Sequence, residues 1–179
     1  MGGMLTLSRA IDAVSKIVGL VAEYLVLLCA LISAFNAMSR YLFNASSNGW
    51  LEIQWYLFAY VVLLGASYTL KNNGHVRVDL IYGNVSPGKR VWIDIFGLVF
   101  FLLPVTVYLT WACWPFFYQS FVDGEMSLNA GGLIRWPVKI LLVLGFGLLF
   151  LQGISELIKR IGALTGRIQV DTTYEKPLQ

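Results

Sequence analysis

The chain has 179 residues, 58% of them hydrophobic and 13% charged, and its mean hydropathy is +0.69. A soluble domain carries about a quarter charged residues, so the composition excludes an ordinary soluble domain and points to a membrane protein. The formal net charge of +3, with basic residues gathered at segment ends, excludes a nucleic-acid-binding surface. Cys29 and Cys113 lie inside apolar runs with no CxxC spacing, which excludes a disulfide framework or a redox motif.

The first element is residues 4–16. Leu7, Ile11, Val14 and Val18 recur at helical spacing, while Ser8, Arg9, Asp12, Ser15 and Lys16 fill the other faces. This pattern predicts an amphipathic helix lying in the membrane interface. A hydrocarbon core is crossed by about 20 apolar residues in a helix, and 17–39 and 50–70 give the first two crossings. A polar connector follows at 71–90, KNNGHVRVDLIYGNVSPGKR, in which Val76, Val78, Leu80, Ile81 and Tyr82 form a short interfacial segment. Ser86-Pro87 reads as a helix start, with Ser86 as N-cap and Pro87 as the first helical residue. The third crossing, 91–118, is long and has room to tilt or to bend at Pro104 and Pro115. A loop at 119–135 leads to the fourth crossing, 136–158, and a polar tail at 159–179. The expectation is an all-α integral membrane protein of one domain with four transmembrane helices.

Basic residues set the orientation. The N-terminal flank carries Arg9 and Lys16, the 71–90 connector Lys71, Arg77, Lys89 and Arg90, and the tail Lys159, Arg160, Arg167 and Lys176. The other two connectors carry Arg40, Arg135 and Lys139. Ten against three is a positive-inside bias, which puts both termini and the 71–90 connector in the cytoplasm and the 119–135 loop outside. Trp111, Trp114, Tyr118 and Trp136 then mark the outer interface and Trp92 the inner one.

An ionisable residue inside a crossing is a functional candidate. Glu23 is the first, either as a proton- or cation-coupled site or as an interfacial or helix–helix contact. Glu52 suits the start of the second crossing, where backbone N–H groups are unpaired; Arg40, near the outer end of the first crossing, is a candidate to pair with it, the alternative being direct contact with a partner or substrate. Helix-end dipoles suffice for Asp94, and Glu156 lies near the inner end of the fourth crossing. His75 is a lone loop histidine without metal-ligand neighbours. Phosphate-loop and nucleophile motifs are missing, so the chain does not read as an enzyme. Ala30 with Ala34, Ser33 with Ala37, and Gly65 are small residues at packing spacing, serving either the bundle itself or an outside partner.

The order Arg40-Tyr41-Leu42-Phe43-Asn44, Trp50-Leu51-Glu52, Tyr56-Leu57-Phe58, Gly65-Ala66, then Gly74-His75-Val76-Arg77-Val78-Asp79-Leu80 and Ser86-Pro87 resembles the small membrane subunit of tripartite ATP-independent periplasmic transporters, the DctQ-like or Q subunit. The late stretch Gly131-Gly132-Leu133-Ile134-Arg135-Trp136-Pro137-Val138-Lys139, with Leu151-Gln152-Gly153, resembles one branch of that family. The family often has two adjacent acids at the start of helix two, whereas Glu52 stands alone here between Leu51 and Ile53.

The resemblance implies a subunit of a sodium-driven importer in the bacterial inner membrane. Its partners would be a large membrane transport subunit and a periplasmic substrate-binding protein that captures an organic acid. Sodium and substrate would sit on the large subunit, leaving this chain without cofactor or metal. Candidate partner or lipid contacts are Arg40, Glu52, His75, Arg77, Asp79, Lys89 and Arg90, and Asp123 and Glu125 are candidate contacts with the binding protein. Two other readings compete. One is a self-sufficient small four-helix proton-coupled exporter working as a homodimer through Glu23. The other is a quinone-linked membrane anchor, which needs haem-ligand histidines inside helices and has none.

Overall fold

The computed structural model describes residues 2–74 and 85–165. His75, Arg77, Asp79, the apolar run at 76–82 and the tail beyond Thr165 lie outside the described residues. Four helices are long and apolar enough to cross a membrane. Helix α1 runs Gly2–Phe43 and α2 runs Asn48–Lys71. The third span is α3, Pro87–Gly97, a π-helical turn, Leu98–Leu102, and α4, Leu103–Val122. Helix α5 runs Trp136–Leu164.

The expected division between an interfacial helix at 4–16 and a first crossing at 17–39 is not found, because one unbroken helix covers both. No proline precedes Pro87, so nothing in the sequence interrupts the backbone ladder there. The polar stripe of the first turns is also the inward one. Ser8, Ile11 and Ser15 are buried, while Leu7 and Val14 face outward. At about 1.5 Å of rise per residue, the helix is about 63 Å long, well beyond a bilayer core of about 30 Å.

The turns follow from particular residues. Asn73 closes α2 in the left-handed region, at φ 53°. There the Asn73 N–H donates to Leu70 O at 3.1 Å and the Gly74 N–H to Thr69 O at 2.9 Å, the paired bonds of a helix-ending αL cap. Gly124, at φ 58°, closes α4 in the same way, with the Glu125 N–H donating to Ser120 O at 3.0 Å. Pro87 stands at the start of α3 as expected, although the Ser86 side chain makes no capping hydrogen bond. Ahead of Pro104 the helix widens, and the Leu103 N–H bonds back to Leu98 O. The Thr106 hydroxyl donates to Leu102 O at 2.7 Å, a side-chain bond to the preceding turn of the kind Thr makes inside helices.

Helix α5 is the centre of the bundle. It packs against α1, α2 and the third span, and α1 also packs against α2. Close approach is set by glycine. A Cβ on Gly145 would lie 2.9 Å from the Leu63 carbonyl oxygen, and one on Gly153 would lie 2.6 Å from Leu102. Lipid tails give apolar helices no hydrophobic reason to associate, so this backbone proximity is a principal source of packing energy. The flanks of α1, α2 and α4 present large apolar side chains such as Phe35, Phe58 and Trp111.

Candidate functional site

Polar side chains gather at the two ends of the bundle. At the end formed by the α1–α2 turn and the α4–α5 loop, Glu52 is the organising residue, 3% exposed in the first turns of α2. One carboxylate oxygen accepts from the Ser127 hydroxyl and from Asn129 Nδ2 at 2.8 Å. The other accepts the Leu133 backbone N–H at 2.7 Å. Asn48 Nδ2 donates to Ala130 O at 3.0 Å and the Tyr56 hydroxyl to Ile134 O at 2.8 Å. The loop closes on itself through an isolated bridge between Met126 and Ile134. Glu125 forms an ion pair with Lys139, whose ammonium lies 3.9 Å from the centroid of the Phe116 ring. The hydrogen bond from Lys139 is the main influence holding the Glu125 carboxyl below the usual glutamate range.

The sequence offered Arg40 as one candidate partner for Glu52. The structure corrects this, because the carboxylate is filled by the loop and Arg40 is exposed near the end of α1. A carboxylate flanked by Ser, Asn and backbone donors needs no cation to satisfy its lone pairs.

At the opposite end, α1, α5, α3 and the cap of α2 share a network of largely buried polar groups. Asp12 Oδ1 accepts from Gln152 Nε2 at 2.9 Å and from the Ser155 hydroxyl at 2.8 Å, and Lys159 forms an ion pair with Asp12 at 3.1 Å. The Ser15 hydroxyl donates to Gln152 Oε1 at 2.7 Å, and the Ser8 and Ser155 hydroxyls share a hydrogen bond of 2.7 Å. Arg160, 5% exposed, spreads its fork over three elements. Nη1 meets Glu156 at 2.6 Å, Nε meets Asp94 at 2.9 Å and Nη2 meets Asn73 Oδ1 at 3.1 Å. Lys159 also pairs with Glu156. Three carboxylates are thus held by two cations and by the Gln152 and Ser155 donors.

Much of this network was invisible as a site in the sequence. Lys159 and Arg160 read as tail charges, and the helix dipole sufficed for Asp94. Arg160 overturns that account by pairing with Asp94 directly. A usable signal existed. Gln152, Ser155, Glu156, Lys159 and Arg160 fall at i, i+3, i+4, i+7 and i+8, one face of a helix, and Ser8, Asp12 and Ser15 fall at i, i+4 and i+7. Two such polar stripes on apolar helices mark a seam between them.

The remaining candidates scatter. Lys89 is exposed and Arg90 half-buried at the start of α3, and Asp123 is exposed at the end of α4, where it accepts from Gln119 at 2.8 Å. Ala30, Ser33, Ala34 and Ala37 are exposed on α1, while Gly65 faces Ala22 inside the bundle. Glu23 is exposed as well. Among the described residues no group of acids, histidines and cysteines is arranged to hold a metal. An open groove of about 460 Å³ between α4 and α5 is lined by Leu103, Pro104, Val107, Tyr108, Trp111 and Phe150, a lining suited to hydrocarbon.

A family model described as "Tripartite ATP-independent periplasmic transporters, DctQ component" matches residues 28–163. The chain is also 37% identical over 59 residues to the C4-dicarboxylate TRAP transporter small permease protein DctQ of Vibrio cholerae. That match covers 33% of this chain and 25% of the relative's length. No solved structure matches.

Proposed function

Because the chain belongs to the DctQ component family of tripartite ATP-independent periplasmic transporters, we propose that it works as a membrane scaffold in a three-part importer. It packs beside a larger membrane subunit, braces it in the inner membrane and offers its α4–α5 loop to a periplasmic substrate-binding protein. Both termini and the 71–90 connector lie in the cytoplasm and the Glu125–Arg135 loop in the periplasm. Sodium and substrate bind the larger subunit, and the solute is an organic acid.

The observation that supports this reading best is the use to which the buried polar groups are put. Glu52 pins a loop, while Asp12, Gln152, Glu156 and Arg160 tie helices to one another. These groups hold the shape of the chain, and the bundle's flanks carry large apolar side chains suited to lipid or to another membrane helix. Leu128, 99% exposed, stands in a loop whose neighbouring residues are fixed by Glu52, a geometry suited to docking a soluble protein.

Deletion of this chain should abolish sodium-dependent uptake of labelled organic acids such as succinate, and its return in trans should restore it. Transport by this chain alone, without a larger membrane subunit, would remove the reading. Replacing Leu128→Asp should raise the concentration of binding protein needed for half-maximal uptake, and an unchanged requirement would remove the docking role.

A further inference from the structure

The first turns of the third span have two faces. Val91 and Leu98 are buried and Asp94 is half-buried, on the side that packs against α5. At about 100° per residue, Lys89, Trp92, Ile93 and Phe96 fall on the opposite side, and all four are exposed. Phe100 continues the row, with its ring centroid 4.8 Å from that of Phe96. Arg160 sets the depth of this face. It meets Asp94 at 2.9 Å and Asn73 Oδ1 at 3.1 Å, and Asn73 lies two positions past the α2 end at Lys71. Asp94 therefore stands level with the end of the second crossing. At about 1.5 Å per residue, Lys89 is about 7.5 Å outside that level, and Phe96 and Phe100 are about 3–9 Å inside it. A bilayer has about 30 Å of hydrocarbon in about 40–45 Å of total thickness, which leaves about 5–8 Å for each headgroup layer. Lys89 thus stands at headgroup depth, Trp92 at the boundary and the phenyl rings among acyl chains.

We propose that this face binds a phospholipid with an anionic headgroup. The Lys89 ammonium meets the phosphate, the Trp92 indole lies at the level of the glycerol esters, and an acyl chain runs over Phe96 and Phe100. The inference rests on the membrane crossing of the family member described above and not on its role beside a larger subunit. The order of the chemistry carries it. A cation outermost, then an amphipathic ring, then purely apolar rings, is the order of a lipid taken from headgroup to tail. A second copy of this chain does not fit the charge. A two-fold contact through this face would set Lys89 against Lys89, and like charges in a shared contact repel. A helix of another protein would have to bring an acid to the level of Lys89, whereas an anionic leaflet supplies its charge at that depth.

The test uses the full chain as it purifies from its native membrane, reconstituted into phosphatidylcholine vesicles. The vesicles carry either phosphatidylglycerol or phosphatidylcholine with brominated acyl chains, which quench tryptophan emission on contact. The part of the emission missing in Trp92→Phe belongs to Trp92, which is 62% exposed. Half-quenching of that part at low salt should need about fivefold less brominated phosphatidylglycerol than brominated phosphatidylcholine, the effect of one cation at an anionic surface. Lys89→Gln should make the two lipids equal, and Lys89→Arg should keep the difference. Lys89 is exposed, so neither change should move Tm. Equal quenching by the two lipids in the wild type overturns the proposal, as does a preference that survives Lys89→Gln. A Trp92 that neither lipid quenches overturns it too, because protein then covers the face. The scaffold reading fails separately, by the absence of a large polytopic protein from the same preparation, whatever the lipids do at Trp92.

Discussion

Arg160→Met should loosen the α1–α5–α3 end of the bundle. The methionine keeps an unbranched apolar stem of comparable reach but removes the guanidinium that touches Glu156, Asp94 and Asn73. Deleting one partner of a buried ion pair costs about 3–5 kcal/mol, because the other is left without compensation. Glu156 retains Lys159 and Gln152, so the lower end of that range, about 3 kcal/mol, applies here. For a chain of this size each kcal/mol moves Tm by about 2–4 °C, which gives an expected drop of roughly 6–12 °C. Intrinsic tryptophan fluorescence of the chain in mild detergent reads the transition directly. Arg160→Lys should fall between the two, since one ammonium cannot span three acceptors on different elements. Combining Arg160→Met with Asp94→Asn should cost less than the sum of the single changes, as expected for groups in one network. A Tm for Arg160→Met within about 2 °C of wild type would refute the claim that this network holds the end together.

Three further outcomes follow from the same geometry. Glu52→Gln leaves a single carbonyl oxygen for the Ser127, Asn129 and Leu133 donors, so protease cleavage within residues 126–133 should speed up while the helices stay intact; unchanged cleavage would contradict the clasp. The Glu125 carboxyl is held below its ordinary value by Lys139, so its contribution is present above that ordinary value and is lost as pH falls through the depressed one. Amide protection of Arg135, whose N–H donates to Glu125 O at 2.9 Å, should therefore hold through neutral pH and fall only in acid, and Glu125→Gln should remove that step; identical profiles would rule it out. Gly145→Val forces a side chain onto the Leu63 backbone and should cost about 1–3 kcal/mol through separation of α2 and α5, seen as a lower Tm; Gly147→Ala, with open space around its Cα, should be neutral by comparison.

The four apolar runs were legible because apolar length is a direct physical requirement for crossing a bilayer, and the start at Pro87 was legible because proline fits the first helical turn. The N-terminal segment was misjudged for a physical reason. Periodicity shows that Ser8, Asp12 and Ser15 share a face, but not whether that face meets water or the equally polar Gln152–Ser155 stripe of α5. The α4–α5 loop escaped for another reason. Glu52 is bound by residues about 75 to 81 positions away, and local pattern says nothing about which distant donors a carboxylate will find. The small residues on α1 and Gly65 look alike in sequence. Their separation into exposed residues and an inward contact depends on the rotation of each helix, which packing between distant segments decides.

The most direct test of the scaffold account is purification of the full chain from its native membrane in mild detergent, followed by mass identification of what accompanies it. The account predicts a much larger polytopic membrane protein in roughly equal amount. Recovery of this chain alone, as a homodimer that transports solute after reconstitution, would contradict it.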